Sequence, residues 1–174
     1  VSHGQTVTGV TLSVENTGQA TVNVTAAGLT FNGSTAGYGL TRTGGPVAIA
    51  GATTATYSFS VTVTSTAPAS VTAIHGNVSG TDANSGAAIS DSTADTADSW
   101  TVQTPAVLSL GLVRAPAQVS RGQTVTVTLP VTNSGQASAT LAEVLLTFHT
   151  SRLAVIARAG NPTSVGGGTT ALLR

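Results

Sequence analysis

Cysteine does not occur in this chain, and its absence excludes disulfide frameworks, thiolate metal sites, covalent haem attachment and cysteine nucleophiles together. Lysine is missing too. The six basic residues are all arginine and stand against six carboxylates, so only 7% of the 174 residues are charged and the net charge is zero. A chain this neutral has no basic patch with which to meet nucleic acid or an acidic membrane surface, so neither is expected as a partner. Aromatic residues reach only 3%, which leaves the core to Val, Leu, Ile and Ala and favours thin sheet layers over broad helical interfaces. No basic segment leads into an apolar run, and no stretch approaches the roughly 18 apolar residues of a membrane span. Direct membrane insertion is therefore not expected. With Val1 in first place and no methionine anywhere, the chain reads as a mature or internal piece of something longer. What is abundant is Thr, Ser, Gly and Val, with 40% hydrophobic content, enough for a core and typical of secreted surfaces.

The chain repeats itself. "VSHGQTVT" from Val1 returns as "VSRGQTVT" from Val119, broken only by His3 against Arg121. Once Gly9 is skipped, Val10–Phe31 matches Val127–Phe148 at eleven of twenty-two positions, among them Asn16/Asn133, Gly18/Gly135 and Phe31/Phe148. A third block pairs Arg42–Ala55 with Arg158–Ala171, including Pro46/Pro162 and Thr53/Thr169. The offset runs 118, 117, 116, too long for a solenoid unit and suited to a whole small β domain. The second copy stops at Arg174, the counterpart of Ser58, whereas "AVLSLGLVRAPAQ" (Ala106–Gln118) precedes it and nothing similar precedes the first.

Period-two alternation runs through nearly every segment, with Val and Thr prominent, as half-buried strands require. Val125, Val127, Leu129 and Val131 alternate with Thr or Pro, Val10, Leu12 and Val14 repeat the pattern, and Gly9 is an extra residue suited to a β-bulge. "NTG" at Asn16 and "NSG" at Asn133 read as turns, because Asn and Gly tolerate positive φ. "TTATYSFSVTV" from Thr53 puts Tyr57, Phe59, Val61 and Val63 on one face and is the strongest core strand. In "TAIHGNVSG", Ile74, Gly76 and Val78 face inward and His75 outward. "DSWTVQ" closes the unit, and Leu108, Leu110 and Leu112 open the next. Thr140–Phe148 is rich in Ala, Leu and Glu, yet the repeat aligns it with a Thr-rich strand, so a strand is expected there. The fold class is all-β: tandem immunoglobulin-like antiparallel β-sandwiches, the first (residues 1–104) nearly complete but lacking its first strand, the second (105–174) truncated. A junction as short as Gln103–Pro105 predicts units stacked end to end.

The stretch "GQTVTVTLPVTNSGQASATLAEVLLTF" resembles the bacterial CARDB-like repeats (cell-adhesion-related domains) and their immunoglobulin-like relatives in surface proteins. The resemblance covers the opening half of each unit. It implies an extracellular spacer, stalk or adhesion role, and it carries over no catalytic residue.

Candidate chemistry is sparse. Asp82, Asp91, Asp95 and Asp98 fall within "GTDANSGAAISDSTADTADSW", where "DANSG" offers oxygen ligands before a Gly as a calcium loop would. It lacks a third ligand and a closing bidentate Glu, so a solvated hairpin turn followed by a polar loop is the simpler reading. His3, His75 and His149 sit in no metal-binding frame. Trp100 reads as a residue packed at a strand end rather than a carbohydrate platform. Asn23, Asn32 and Asn77 match the glycosylation acceptor pattern at about the rate chance predicts. Gly166–Gly168 lacks the Lys and helix of a phosphate loop. No nucleophile, base and orienting residue form a constellation, so no enzyme, cofactor or metal is expected. The leading expectation is a structural repeat of an extracellular bacterial surface or secreted protein, its partners the neighbouring repeats of the same chain. The alternatives are a glycan- or protein-binding module, calcium-assisted or not, and a filament subunit completed by strand exchange.

Overall fold

The computed structural model describes residues 1–92, 98–144, 146 and 161–174, and no helix occurs among them. The chain is all-β, and every strand ladder is antiparallel. It divides into two compact units, Val1–Gln103 and Thr104–Arg174.

The first unit contains β1 (Thr6–Asn16), β2 (Val22–Phe31), β3 (Tyr38–Gly44), β4 (Ala48–Ile49), β5 (Thr53–Val63), β6 (Val71–Asp82), β7 (Ala88–Ser92) and β8 (Asp98–Thr101). Two sheets result, in the orders β1-β5-β3 and β4-β2-β6-β7, with β8 also paired to β6. The alternation of β5 dictates the core: Tyr57, Phe59, Val61 and Val63 are all fully buried, while the residues between them stay half-buried. Leu29 and Phe31 from β2, Ile49 from β4 and Val102 close over them in a β-sandwich-like arrangement. Each such side chain contributes about 1.5–3 kcal/mol by leaving water. At one end Phe31 stacks on Tyr38 at 4.0 Å and on Trp100 at 5.5 Å. The register of β1 on β5 slips between Thr8 and Val10, and Gly9 takes φ 75° there. This is the expected bulge.

One expectation is corrected. The polar segment after Asp82 does not run on as a loop: Ala88–Ser92 forms β7 on the edge of β6, with every residue exposed. Its backbone satisfies a sheet edge although its side chains have no core to enter, so period-two hydrophobicity could not mark it.

The second unit contains β9 (Leu108–Leu110), β10 (Leu129–Asn133), β11 (Ala139–Thr140), β12 (Ser164–Val165) and β13 (Thr170–Leu173). Its sheets have the orders β13-β10-β9 and β11-β12. Leu129, Val131, Val165 and Leu173 form its core, with Leu141, Val144 and Leu146 packed against them. Of the strand expected over Thr140–Phe148, only Ala139–Thr140 is strand among the described residues, and Leu145, Thr147 and Phe148 lie outside them. Leu112, expected in the opening strand, lies beyond β9 and is exposed.

Where both units are paired their registers agree, but β10 begins only at Leu129, so Val125 and Val127, expected on this strand, precede it. Val14 faces Ala55 and Leu12 faces Tyr57 in the first; Val131 faces Ala171 and Leu129 faces Leu173 in the second. Val22 pairs with Ile49 as Ala139 pairs with Val165.

The turns after β1 and β10 follow a different logic from the one expected. Neither Asn16, Gly18, Asn133 nor Gly135 has positive φ. Instead the asparagine side chains are buried and tie the loop to the far sheet. The Asn16 Nδ2 donates to the carbonyls of Ala20 (2.8 Å), Ile49 (3.0 Å) and Ala50 (3.2 Å), and its Oδ1 accepts from the Gly18 amide. Asn133 repeats this with Ala137 (2.8 Å), Val165 (3.1 Å) and the Gly135 amide. An amide suits the place because it both donates and accepts, so backbone groups withdrawn from water on either side are satisfied by one side chain.

Candidate functional site

Most of the residues singled out for chemistry are engaged in holding local structure. Asp82 ends β6, and its Oδ1 accepts from the amides of Asn84 (2.9 Å) and Ser85 (2.7 Å) and from the Ser85 hydroxyl (2.9 Å). The Ser85 amide first, then the Ser85 hydroxyl and the Asn84 amide, hold this carboxyl below its ordinary value. Gly86, at φ 72°, completes the turn into β7 by donating to the Asp82 carbonyl. Asp91 and Asp98 each accept from the amide of the following serine. Asp95 lies outside the described residues. Among the described residues no three His, Asp or Glu side chains come close enough to hold a metal ion.

The histidines are dispersed. His3 is half-buried, with its Nε2 2.8 Å from the Ala67 carbonyl. His75 is half-buried on β6, on the face opposite Ile74 and Gly76, and His149 lies outside the described residues. Trp100 is half-buried in the aromatic stack rather than displayed, and no described residue accepts from its buried Nε1. Asn32 adopts φ 50°, and its Oδ1 accepts from the Ala73 amide. Asn23 is exposed on β2, and Asn77 lies half-buried on β6. The Gly166–Gly168 run is the turn between β12 and β13. A Cβ on Gly167 would meet the Gln136 carbonyl oxygen at 1.9 Å, and Gly168 has φ 67°.

One concave feature of the first unit was not anticipated. A groove of about 610 Å³ runs between the two sheets along β1. Leu12 and Val14 of β1 form one wall, Val78 and Gly80 of β6 with Ile89 of β7 form the other, and Asn16 stands at one end. Its lining is mixed, because Asp91 of β7, paired with Val78, and Asn16 stand among the apolar side chains. On its outer side β1 has no strand partner among the described residues. A period-two reading finds the apolar residues of such a groove but not the opening, which depends on which strand neighbours which. No protein-family model matches the chain, and no curated protein matches it.

Proposed function

We propose that this chain is a length of structural repeat, a pair of immunoglobulin-like units in tandem, from an extracellular bacterial surface or secreted protein of the CARDB-like kind. Its work is to space or present another module. The observation that carries this reading is the agreement between the two units: the same strand register, the same buried asparagine and the same close glycine contact recur 116 or 117 residues apart. A sequence that reproduces core and turn chemistry without reproducing any cluster of reactive side chains is preserving architecture. Only 7% charge and abundant Thr and Ser suit a neutral, hydrated surface. The repeating partner of each unit is then its neighbour in the chain.

Deletion of Val1–Gln103 from the longer protein tests this. Reach from the cell surface to a distal epitope should shorten by a fixed step while ligand recognition by the rest survives. Unchanged reach with loss of recognition of a glycan or protein would assign the unit to binding instead.

A further inference from the structure

The seven asparagines of the chain differ in what their side chains and the amides after them are doing. Asn16 and Asn133 are locked by their buried hydrogen bonds. Asn23 precedes Val24, whose amide donates to the Val47 carbonyl (2.8 Å), and Asn77 precedes Val78, which is paired on β6 between Ala27 and Asp91. The Ser85 amide after Asn84 is held by Asp82 Oδ1, and Asn161 precedes Pro162, which has no N–H. Asn32 alone stands directly before a glycine. Both residues are exposed, and no described residue accepts from the Gly33 amide.

The turn that carries this pair is a two-residue hairpin. Phe31 and Ser34 exchange both backbone hydrogen bonds, at 2.6 and 3.1 Å, while Asn32 at φ 50° and Gly33 at φ 80° supply the left-handed backbone that such a turn requires. Asn32 also carries the β2–β6 contact one step beyond Phe31. Its amide donates to the Ala73 carbonyl (2.9 Å), and its Oδ1 accepts from the Ala73 amide (2.9 Å). The side-chain carbonyl is thus turned to a fixed donor, and a hydrogen bond at that oxygen stabilises the charge that gathers there when Cγ is attacked. Gly33 has no side chain to shield its nitrogen, and even an added Cβ would meet nothing within 4 Å.

We propose that Asn32–Gly33 is a self-modification site that loses ammonia through a cyclic imide. Hydroxide removes the Gly33 N–H proton, and the nitrogen attacks Asn32 Cγ. The new C–N bond closes the ring as the Cγ–Nδ2 bond breaks and ammonia leaves. Water then opens the imide. Cleavage between Cγ and the ring nitrogen gives an aspartyl residue, and cleavage at the backbone carbonyl carbon leaves an isoaspartyl residue linked onward through Cγ. Either product adds a carboxylate to a chain whose charges balance. The aspartyl product keeps an acceptor for Ala73 and tolerates positive φ. The isoaspartyl product inserts a methylene into the backbone of the turn, which disturbs the exchange between Phe31 and Ser34 and with it the Phe31 ring stacked on Tyr38 and Trp100. The matching place after Phe148 reads His149–Thr150, so the second repeat lacks the site. This assignment rests on the chemistry of one turn and not on service as a spacer, so either can fail alone.

The test incubates the full 174-residue chain beside the free peptide LTFNGSTAG, in mildly alkaline buffer made with heavy-oxygen water. Peptide mapping follows all seven asparagines, and electron-transfer fragmentation separates aspartyl from isoaspartyl product. Asn32 should convert at least about tenfold faster than any other asparagine of the chain, at a rate that rises with pH, each product carrying one heavy oxygen. Gly33→Ala should slow the conversion at least about tenfold, since its methyl crowds the attacking nitrogen. The parent chain decides alone should that variant fold poorly. Trp100 emission should change in the isoaspartyl fraction and match the parent in Asn32→Asp, and equal emission in the two would remove the turn's hold on the aromatic stack. An Asn32 that stays intact while the peptide converts overturns the assignment. So does another asparagine that converts as fast, product without heavy oxygen, or a rate that Gly33→Ala leaves unchanged.

Discussion

Replacing Asn16 by alanine tests the physical basis of the first unit. The side chain makes four hydrogen bonds, three to carbonyls and one from the Gly18 amide. The Ile49 carbonyl is the one reached in a buried setting, while those of Ala20 and Ala50 are part-buried and can turn to water. Stranding one buried carbonyl costs about 1–3 kcal/mol, and the remaining bonds contribute about 1 kcal/mol net. The variant should therefore lose about 2–4 kcal/mol, a large part of the roughly 5–15 kcal/mol that holds a domain together. For a unit near 100 residues this lowers Tm by roughly 10–25 °C. Trp100 is the single tryptophan and lies in the first unit's aromatic stack, so its fluorescence follows this unit in urea and on heating. Asn16→Asp keeps an acceptor for Gly18 but has no N–H to donate, and at neutral pH it should fall at least as far. A loss below about 0.5 kcal/mol in both variants would mean that Asn16 does not hold this turn to the far sheet, because that is the scale of an ordinary surface change.

Gly51→Ala should destabilise the first unit by several kcal/mol, because the new Cβ would meet the Gln19 carbonyl oxygen at 2.0 Å and backbone cannot step aside cheaply. Gly4→Ala, in open space at φ 81°, should cost only about 1 kcal/mol by urea titration, and equal losses at the two sites would contradict the packing. The Tyr57 hydroxyl is buried with no partner among the described residues, and burial raises its pKa while Arg42, over the ring at 4.7 Å, opposes the rise. Its contribution is thus intact below pH 10.0 and lost as pH climbs through the raised folded value. Tyr57→Phe should melt no lower than the parent at neutral pH and resist alkali better, and a drop above about 1 kcal/mol would show an unseen partner. Asp82, whose folded pKa lies below its ordinary 3.8, steadies the β6–β7 turn above that pH and releases it as the pH falls through the lowered value. Asp82→Ala should speed amide exchange at Asn84 and Ser85 at neutral pH, and unchanged exchange would remove the carboxylate from the turn.

Much of the fold is legible in residue order because burial on a strand has a period of two. Tyr57, Phe59, Val61 and Val63 announce the core strand, and Gly9 announces the bulge by breaking an otherwise matched repeat. The strand Ala88–Ser92 is illegible because a fully exposed edge carries no hydrophobic pattern. Asn16 and Asn133 are visible as identical residues, yet a turn preference and a buried hydrogen-bonding role write the same letter, and only the partners on distant strands separate them. Gly135 is likewise ambiguous in sequence, since close approach and positive φ both select glycine; its φ and the nearby Pro105 carbonyl decide for close approach. The groove along β1 is a property of strand order, which local alternation does not encode.

The two units share one local plan around β1 and β10. Cross-strand NOEs in a uniformly labelled sample read that plan directly. Contacts are expected linking Val14 with Ala55 and Val22 with Ile49, and the same pattern linking Val131 with Ala171 and Ala139 with Val165. A register in the second set displaced by even one residue from the first would contradict it, because such a slip turns every core side chain to the opposite face.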